Sequence, residues 1–193
     1  MNTEKKYGKP QLSFKIDIVY SKYESLLRGF KKSEMKEMLY LYFDTDLLPE
    51  KAKLLKADAR LRARIRGGRY SIELKFRHGN QFEDYYQPIT LLELGLILQG
   101  LVPIGHIRSK LLSLALLDKM FLIGTAQTSR VKKFYEKGIL VLDKTTNADQ
   151  TYFQIEYRSE QNISPNKIES IKDELGIYGD DSNNKLKRVW QAR

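Results

Sequence analysis

The chain has 193 residues, 41% of them hydrophobic, and its 34 Lys and Arg against 24 Asp and Glu give a net charge of +10. That length and apolar content exclude a disordered chain and predict one globular unit with a substantial core, while the charge favours a polyanionic partner without choosing among nucleic acid, lipid and nucleotide phosphates. The absence of cysteine excludes disulfides, thiolate metal sites and a cysteine nucleophile, and it fits a reducing, cytoplasmic setting.

Residues 1–10 are Lys-rich with no apolar segment of the kind a secretory signal needs, so they read as a basic tail ahead of a single domain over residues 11–193. Gln11 to Val19 alternates Leu12, Phe14, Ile16 and Ile18 against Gln11, Ser13, Lys15 and Asp17, which predicts a strand with one apolar face. Ser21 and Glu24 have capping-box spacing ahead of Leu26, Leu27 and Phe30, which predicts a helix to about Glu37. Leu39 to Thr45 returns to strand, and Pro49 to Lys56 reads as a short helix or turn.

Ala59 to Arg66 alternates Arg60, Arg62, Arg64 and Arg66 against Leu61, Ala63 and Ile65. Gly67 and Gly68 then signal a hairpin into Tyr70 to Arg77, where Ile72 and Leu74 oppose Ser71, Glu73, Lys75 and Arg77. Phe82 to Ile89 reads as a further strand, Thr90 and Glu93 cap an apolar helix to about Leu101, and Ile107 to Leu117 also reads as helix. The apolar stretches at 91–104 and 111–124 are too short or too interrupted to span a bilayer, so no membrane partner is expected. Strands are predicted at Phe121 to Arg130, Ile139 to Asp143 and Tyr152 to Arg158. Ser164 and Pro165 open a helix to about Gly176, and Asn184 to Gln191 is a last strand or a tail. About eight strands with helices inserted fit an α+β chain built on a closed barrel better than a sandwich.

The arginine row is the informative feature. Alternate strand residues lie roughly 6.8 Å apart, where neighbouring like charges repel by about 0.6 kcal/mol in water and about 2.4 kcal/mol at an effective dielectric near 20. On a solvated sheet edge such a row is tolerable, whereas in an enclosed interior it needs anions.

Tyr42-Phe43-Asp44-Thr45, then Leu61-Arg62-Ala63-Arg64, then Glu73-Leu74-Lys75 resemble in order and spacing the YFDT, LRxR and LTLK-type signatures of the CYTH or triphosphate-tunnel family. Thr128-Ser129-Arg130, Leu140 to Thr145 and Phe153 to Tyr157 resemble that family's later TxR, LxLDxT and YEIEYE strands, so the resemblance covers about residues 11 to 190. It implies a closed antiparallel eight-stranded β-barrel, a tunnel with helices packed outside. The family includes class IV adenylate cyclases, inorganic triphosphatases, thiamine triphosphatases and, more distantly, RNA triphosphatases. Carried over residue by residue, it implies Lys15, Arg62, Arg64, Lys75 and Arg130 as phosphate contacts, with Lys185 and Lys187 matching its terminal basic strand. It also implies acids that hold Mg²⁺ or Mn²⁺ and serve the chemistry, here Asp143 and Glu156; Glu73, which should face the same interior as Lys75, is a further candidate, with Asp17 and one of Glu83 or Asp84 to assist. As a structural alternative, these acids only compensate the charge of the arginine rows.

The pattern also breaks. The family's opening ExExK becomes Gln11, Ser13 and Lys15, and the late strand's three alternate glutamates become Gln154, Glu156 and Arg158. His78 and His106 lack metal-ligand spacing, and Gly67-Gly68 lacks the context of a P-loop. Three functions therefore stand open. The first is a metal-dependent phosphohydrolase, or cyclase-like enzyme, acting on a triphosphate or polyphosphate. The second is a binding module for such an anion that has lost catalysis. The third is an exposed nucleic-acid surface, which would show steep salt dependence.

Overall fold

The computed structural model describes residues 13–30, 33–78, 81–148, 150–159 and 164–178. Eight strands follow in chain order: β1 (Ser13–Ile18), β2 (Lys36–Asp44), β3 (Ala59–Arg66), β4 (Arg69–His78), β5 (Gln81–Ile89), β6 (Phe121–Tyr135), β7 (Gly138–Asn147) and β8 (Gln150–Ser159). The helices are α1 (Tyr20–Arg28), α2 (Lys53–Lys56), α3 (Leu91–Leu98), α4 (His106–Ser113) and α5 (Pro165–Leu175).

The strands form one antiparallel sheet in the order β1-β8-β7-β6-β2-β3-β4-β5. Its hydrogen bonding ends on β1 and β5, so the closed barrel expected from sequence is corrected to a sheet that no ladder closes among the described residues. β5 carries Pro88, which has no amide hydrogen to give and is at home in an edge strand. The expected last strand at 184–191 lies outside the described residues.

The backbone divides into two compact units. One comprises, among the described residues, 36–78, 81–129, 145–148 and 150–151. Here β3 turns into β4 through Gly67 and Gly68 at φ +51° and +71°, a left-handed pair that only glycine adopts without strain. That turn fixes the register Arg62 opposite Glu73, Arg60 opposite Lys75 and Arg64 opposite Ser71. Leu61, Ala63, Ile72 and Leu74 point the other way and are fully buried with Ile97, Ile107 and Leu111 of α3 and α4. α3 carries the expected capping box of Thr90 and Glu93.

In the same unit Asp44 is completely buried at the end of β2, and its carboxylate collects the amides at the start of α2 that the helix itself leaves without an acceptor. Oδ1 accepts from the backbone N–H of Thr45 (2.7 Å) and Leu54 (3.0 Å), and Oδ2 from that of Leu55 (3.0 Å). Thr45 Oγ1 accepts from Lys53 N at 2.9 Å. The Asp-Thr pair of the YFDT segment is thus a structural clamp. It ties the end of β2 to the turn that feeds the arginine strand.

The other unit comprises, among the described residues, 13–30, 33–35, 130–144, 152–159 and 164–178. β1 pairs with β8 so that Phe14 faces Tyr157, Ile16 faces Ile155 and Lys15 faces Glu156. Phe14, Ile16, Leu140, Leu142, Ile155 and Tyr157 form its core with Tyr23 of α1 and Ile171 of α5. Helix α1 stops at Arg28 instead of running to Glu37, because Gly29 and Phe30 turn their amides back to Leu26 and Leu27. The hairpin after β6 is longer than its sequence suggests, since Glu136 takes the left-handed turn position at φ +50° where a glycine would have announced it.

Removing the Asp44 clamp strands buried amide donors. Asp44→Ala is expected to lower unfolding free energy by about 3 kcal/mol, and Asp44→Asn, which keeps one acceptor oxygen, by roughly half that, measured by urea denaturation.

Candidate functional site

The polar face of β3 is not a solvated edge. β2 and β4 flank it on both sides, and the side chains of Arg62 and Arg64 retain only 17% and 27% of their exposure. Glu73 holds both guanidinium groups. Arg62 donates through Nε (2.8 Å) and Nη2 (2.5 Å) to Oε2, while Arg64 Nη1 lies 2.8 Å from Oε1. Arg62 also lies 4.1 Å over the Tyr40 ring and Arg64 5.4 Å over the Tyr86 ring, which orients the two planes. Beside them Lys75 Nζ is 3.5 Å from Asp84.

Arg60 differs from its neighbours. Its Nε is buried with no hydrogen-bond partner among the described residues. Burial, and then the positive charge of Arg62, hold its guanidinium below the ordinary arginine value. Among the charged side chains named here, Arg60, Arg62, Arg64 and Lys75 outnumber Glu73 and Asp84 by two.

The polar face of β8 in the other unit carries a second cluster. Arg130 grips Asp143 with two parallel bonds, Nε to Oδ1 and Nη2 to Oδ2, each 2.6 Å. Arg158 Nη2 donates to Glu156 Oε2 at 2.8 Å, and Lys15 faces the same carboxylate across the β1–β8 ladder. Gln154 Nε2 donates to Asp17 Oδ1 at 2.7 Å. The Nε of Arg158 is a second buried donor with no hydrogen-bond partner among the described residues.

The expected residues therefore fall into two groups: Arg62, Arg64, Glu73 and Lys75 in one unit, and Lys15, Arg130, Asp143 and Glu156 in the other. Lys185 and Lys187 lie outside the described residues. Of the auxiliary acids, Asp84 pairs with Lys75, while Glu83 accepts from Tyr85 (2.8 Å) and lies 3.8 Å from Lys110. Sequence reasoning did not choose Arg60 or Arg158. Arg60 stands in the same alternation as Arg62, and Arg158 was read as a carboxylate lost rather than a cation gained.

A divalent cation needs several oxygen ligands turned toward one point. Among the described residues no three His, Asp or Glu side chains come together in that way. Both oxygens of Glu73 and both of Asp143 already accept from guanidinium groups, as does Oε2 of Glu156. The carboxylates present do not fit a ready-made metal site.

Burial pushes the Glu73 carboxyl up, but Arg62 and Arg64 outweigh it and hold it below the usual range; at Glu156, burial is outweighed by Arg158 and then Lys15. A depressed folded-state value stabilises the protein above the unfolded glutamate value, about 4.3, and that stabilisation is lost as pH falls through the folded value. Melting temperature followed by circular dichroism should therefore drop as pH falls below about 4.3, and the double variant Glu73→Gln/Glu156→Gln should show a shallower drop.

Comparison with known proteins agrees with this architecture. The model of the CYTH domain matches residues 14–189. A Bacillus subtilis (strain 168) protein named "Putative triphosphatase YjbK" is 26% identical over 154 residues, which are 79% of this chain and 78% of that one. The crystal structure of a "putative adenylate cyclase" from Bacillus halodurans superposes with a TM-score of 0.81 at 24% identity, covering 93% of this chain and 97% of that one. A Hippeastrum protein, described as a "putative adenylyl cyclase" that reveals a dominant triphosphatase activity, gives 0.71 at 18% identity, covering 94% and 95%. These two likenesses are of fold. With the family model matched over nearly its whole length, the chain belongs to the CYTH domain family.

Proposed function

We propose that the chain binds a triphosphate-type anion on the guanidinium face of β3 and β4 and hydrolyses its terminal phosphoanhydride bond. The observation that carries this is the part-buried pair Arg62 and Arg64, held together by Glu73 and stacked on Tyr40 and Tyr86, on a face where the cations outnumber the carboxylates that answer them. Bidentate, stacked arginines suit phosphoryl oxygens better than point-charged lysines do. Family membership and the triphosphatase named among the relatives favour the same substrate class.

In this reading Arg60, Arg62, Arg64 and Lys75 draw charge from the phosphoryl oxygens and hold the chain of phosphates still. Tyr40 and Tyr86 keep the guanidinium planes in place, and Glu73 keeps Arg62 and Arg64 from separating. Water attacks the terminal phosphorus, a new P–O bond forms as the bridging P–O bond breaks, the water's proton passes to a phosphate oxygen or to solvent, and a diphosphate group leaves with its charge balanced by the same cations. Positioning and electrostatics supply most of such catalysis. No step is routed through a metal ion, because the carboxylates present do not form a site for one. That same pairing of acids with arginines favours a second reading, a module that binds the anion without turning it over.

Phosphate release from tripolyphosphate, measured with Mg²⁺, with Mn²⁺ and with EDTA, separates the two. The hydrolase reading expects release that falls roughly tenfold to a hundredfold in Arg62→Ala, a variant that also controls for contaminating phosphatase. No release above that control from folded protein, with binding retained, establishes the binding module.

A further inference from the structure

We infer that the chain forms a two-fold dimer through the outward face of α3, with the two helices antiparallel and crossing at Gly95. This goes beyond the anion-binding reading and does not depend on it.

Helix α3 is apolar on every side, reading Leu-Leu-Glu-Leu-Gly-Leu-Ile-Leu. Leu94 and Ile97 are buried against Leu61, Ile72 and Leu74 of the sheet. The helix's one charged group, Glu93, is taken up in the cap, where Oε2 accepts from the N–H (2.8 Å) and the hydroxyl (2.9 Å) of Thr90. At about 3.6 residues per turn, Leu91, Leu92, Gly95, Leu98 and Gln99 share the remaining, outward arc. Leu91, Leu92 and Leu98 keep 64%, 78% and 50% of their exposure, and the connection to α4 adds Leu101 and Ile104 at 55% and 86%. A surface helix ordinarily turns a polar face outward, whereas a helix apolar all round is one that something covers.

A second copy fits this face in charge, area and shape. The chain carries a net charge of +10, so copies repel one another, and contact is least opposed where the surface has no charge. The outward arc of α3 is such a surface. Those five side chains offer on the order of 500 Å² of apolar area, above the few hundred that a monomer ordinarily exposes and more than half of the roughly 800 Å² per partner in a standard interface. Gly95 stands between Leu91 and Leu98, about one turn from each, and a Cβ placed on it would meet nothing within 4 Å. Glycine weakens a helix interior but lets another backbone come close. A two-fold axis over Gly95 reverses the helix and sets Leu91 of one copy against Leu98 of the other, and the converse, so the face is complementary to itself. Because α3 packs on the apolar side of β3 and β4, such pairing leaves the Arg62 and Arg64 face of each copy uncovered.

The experiment is sedimentation equilibrium of the full chain across micromolar concentrations, with circular dichroism confirming that each variant is folded. Wild-type protein is expected at twice the mass of one chain. Gly95→Leu meets nothing within its own chain and improves helix propensity, yet it blocks the crossing and should weaken dimerisation at least about tenfold. Leu91→Glu and Leu98→Lys each suit the helix dipole at their end of α3, so neither threatens the fold, and each should weaken the dimer roughly tenfold. The double variant Leu91→Glu/Leu98→Lys should recover part of that loss, because each new carboxylate then meets an ammonium of the other copy. A wild-type chain that stays monomeric throughout overturns the inference and leaves the face to another occupant. A dimer that Gly95→Leu, Leu91→Glu and Leu98→Lys all leave intact overturns it as well. A double variant weaker than both of its single variants overturns the antiparallel crossing.

Discussion

A row of arginines on one face of a strand can be buried only if something answers its charge, and β3 is organised around that demand. At an effective dielectric near 20, neighbouring guanidinium groups roughly 6.8 Å apart repel by about 2.4 kcal/mol, while a carboxylate about 4 Å away attracts each by about 4 kcal/mol. One glutamate placed to touch two arginines therefore outweighs their repulsion. Glu73 is so placed because the two-glycine turn sets it opposite Arg62. Arg60 in the same row keeps an Nε–H with no hydrogen-bond partner among the described residues. The apolar face of the same strand answers the opposite demand, with Leu61 and Ala63 sealed under α3 and α4.

The unit built on β1 and β8 solves a similar problem with different pairs. Arg130 and Asp143 satisfy one another in a planar, two-bond contact, whereas Arg158 shares Glu156 with Lys15 and keeps a donor in reserve. In both units the acids act first as partners of arginine. The sequence motifs place these acids on the right strands, but the meaning of an acid in a motif depends on what reaches it in space.

That dependence marks how much was legible in advance. Strict alternation and Gly67-Gly68 were enough to predict the β3–β4 hairpin, and Thr90 with Glu93 was enough for the start of α3, because turn and cap chemistry are local. The end of α1 and the reach of β6 and β7 were misjudged, because Glu136 occupies a turn position that its residue type does not advertise and Gly29 stops a helix that periodicity alone would continue. Lys15, Arg62, Arg64 and Lys75 stand in strands where their apolar neighbours are buried, as the alternation of the sequence leads one to expect. The pairing of Asp143 with Arg130, and the one-sided hold on Arg158, depend on packing across strands and left no trace in spacing.

The pairing of β1 with β8 has a consequence for synthesis. The meander from β2 to β5 is made of neighbours in sequence, and each hairpin in it can close soon after its residues emerge. β1 emerges before all of them, yet its native partner spans Gln150–Ser159, near the far end of the chain. On the ribosome, Phe14 and Ile16 therefore wait with an unpaired strand edge until almost everything else has been made. The segment that carries Lys15 is thus translated ahead of the other strands and is among the last of them to find its native ladder.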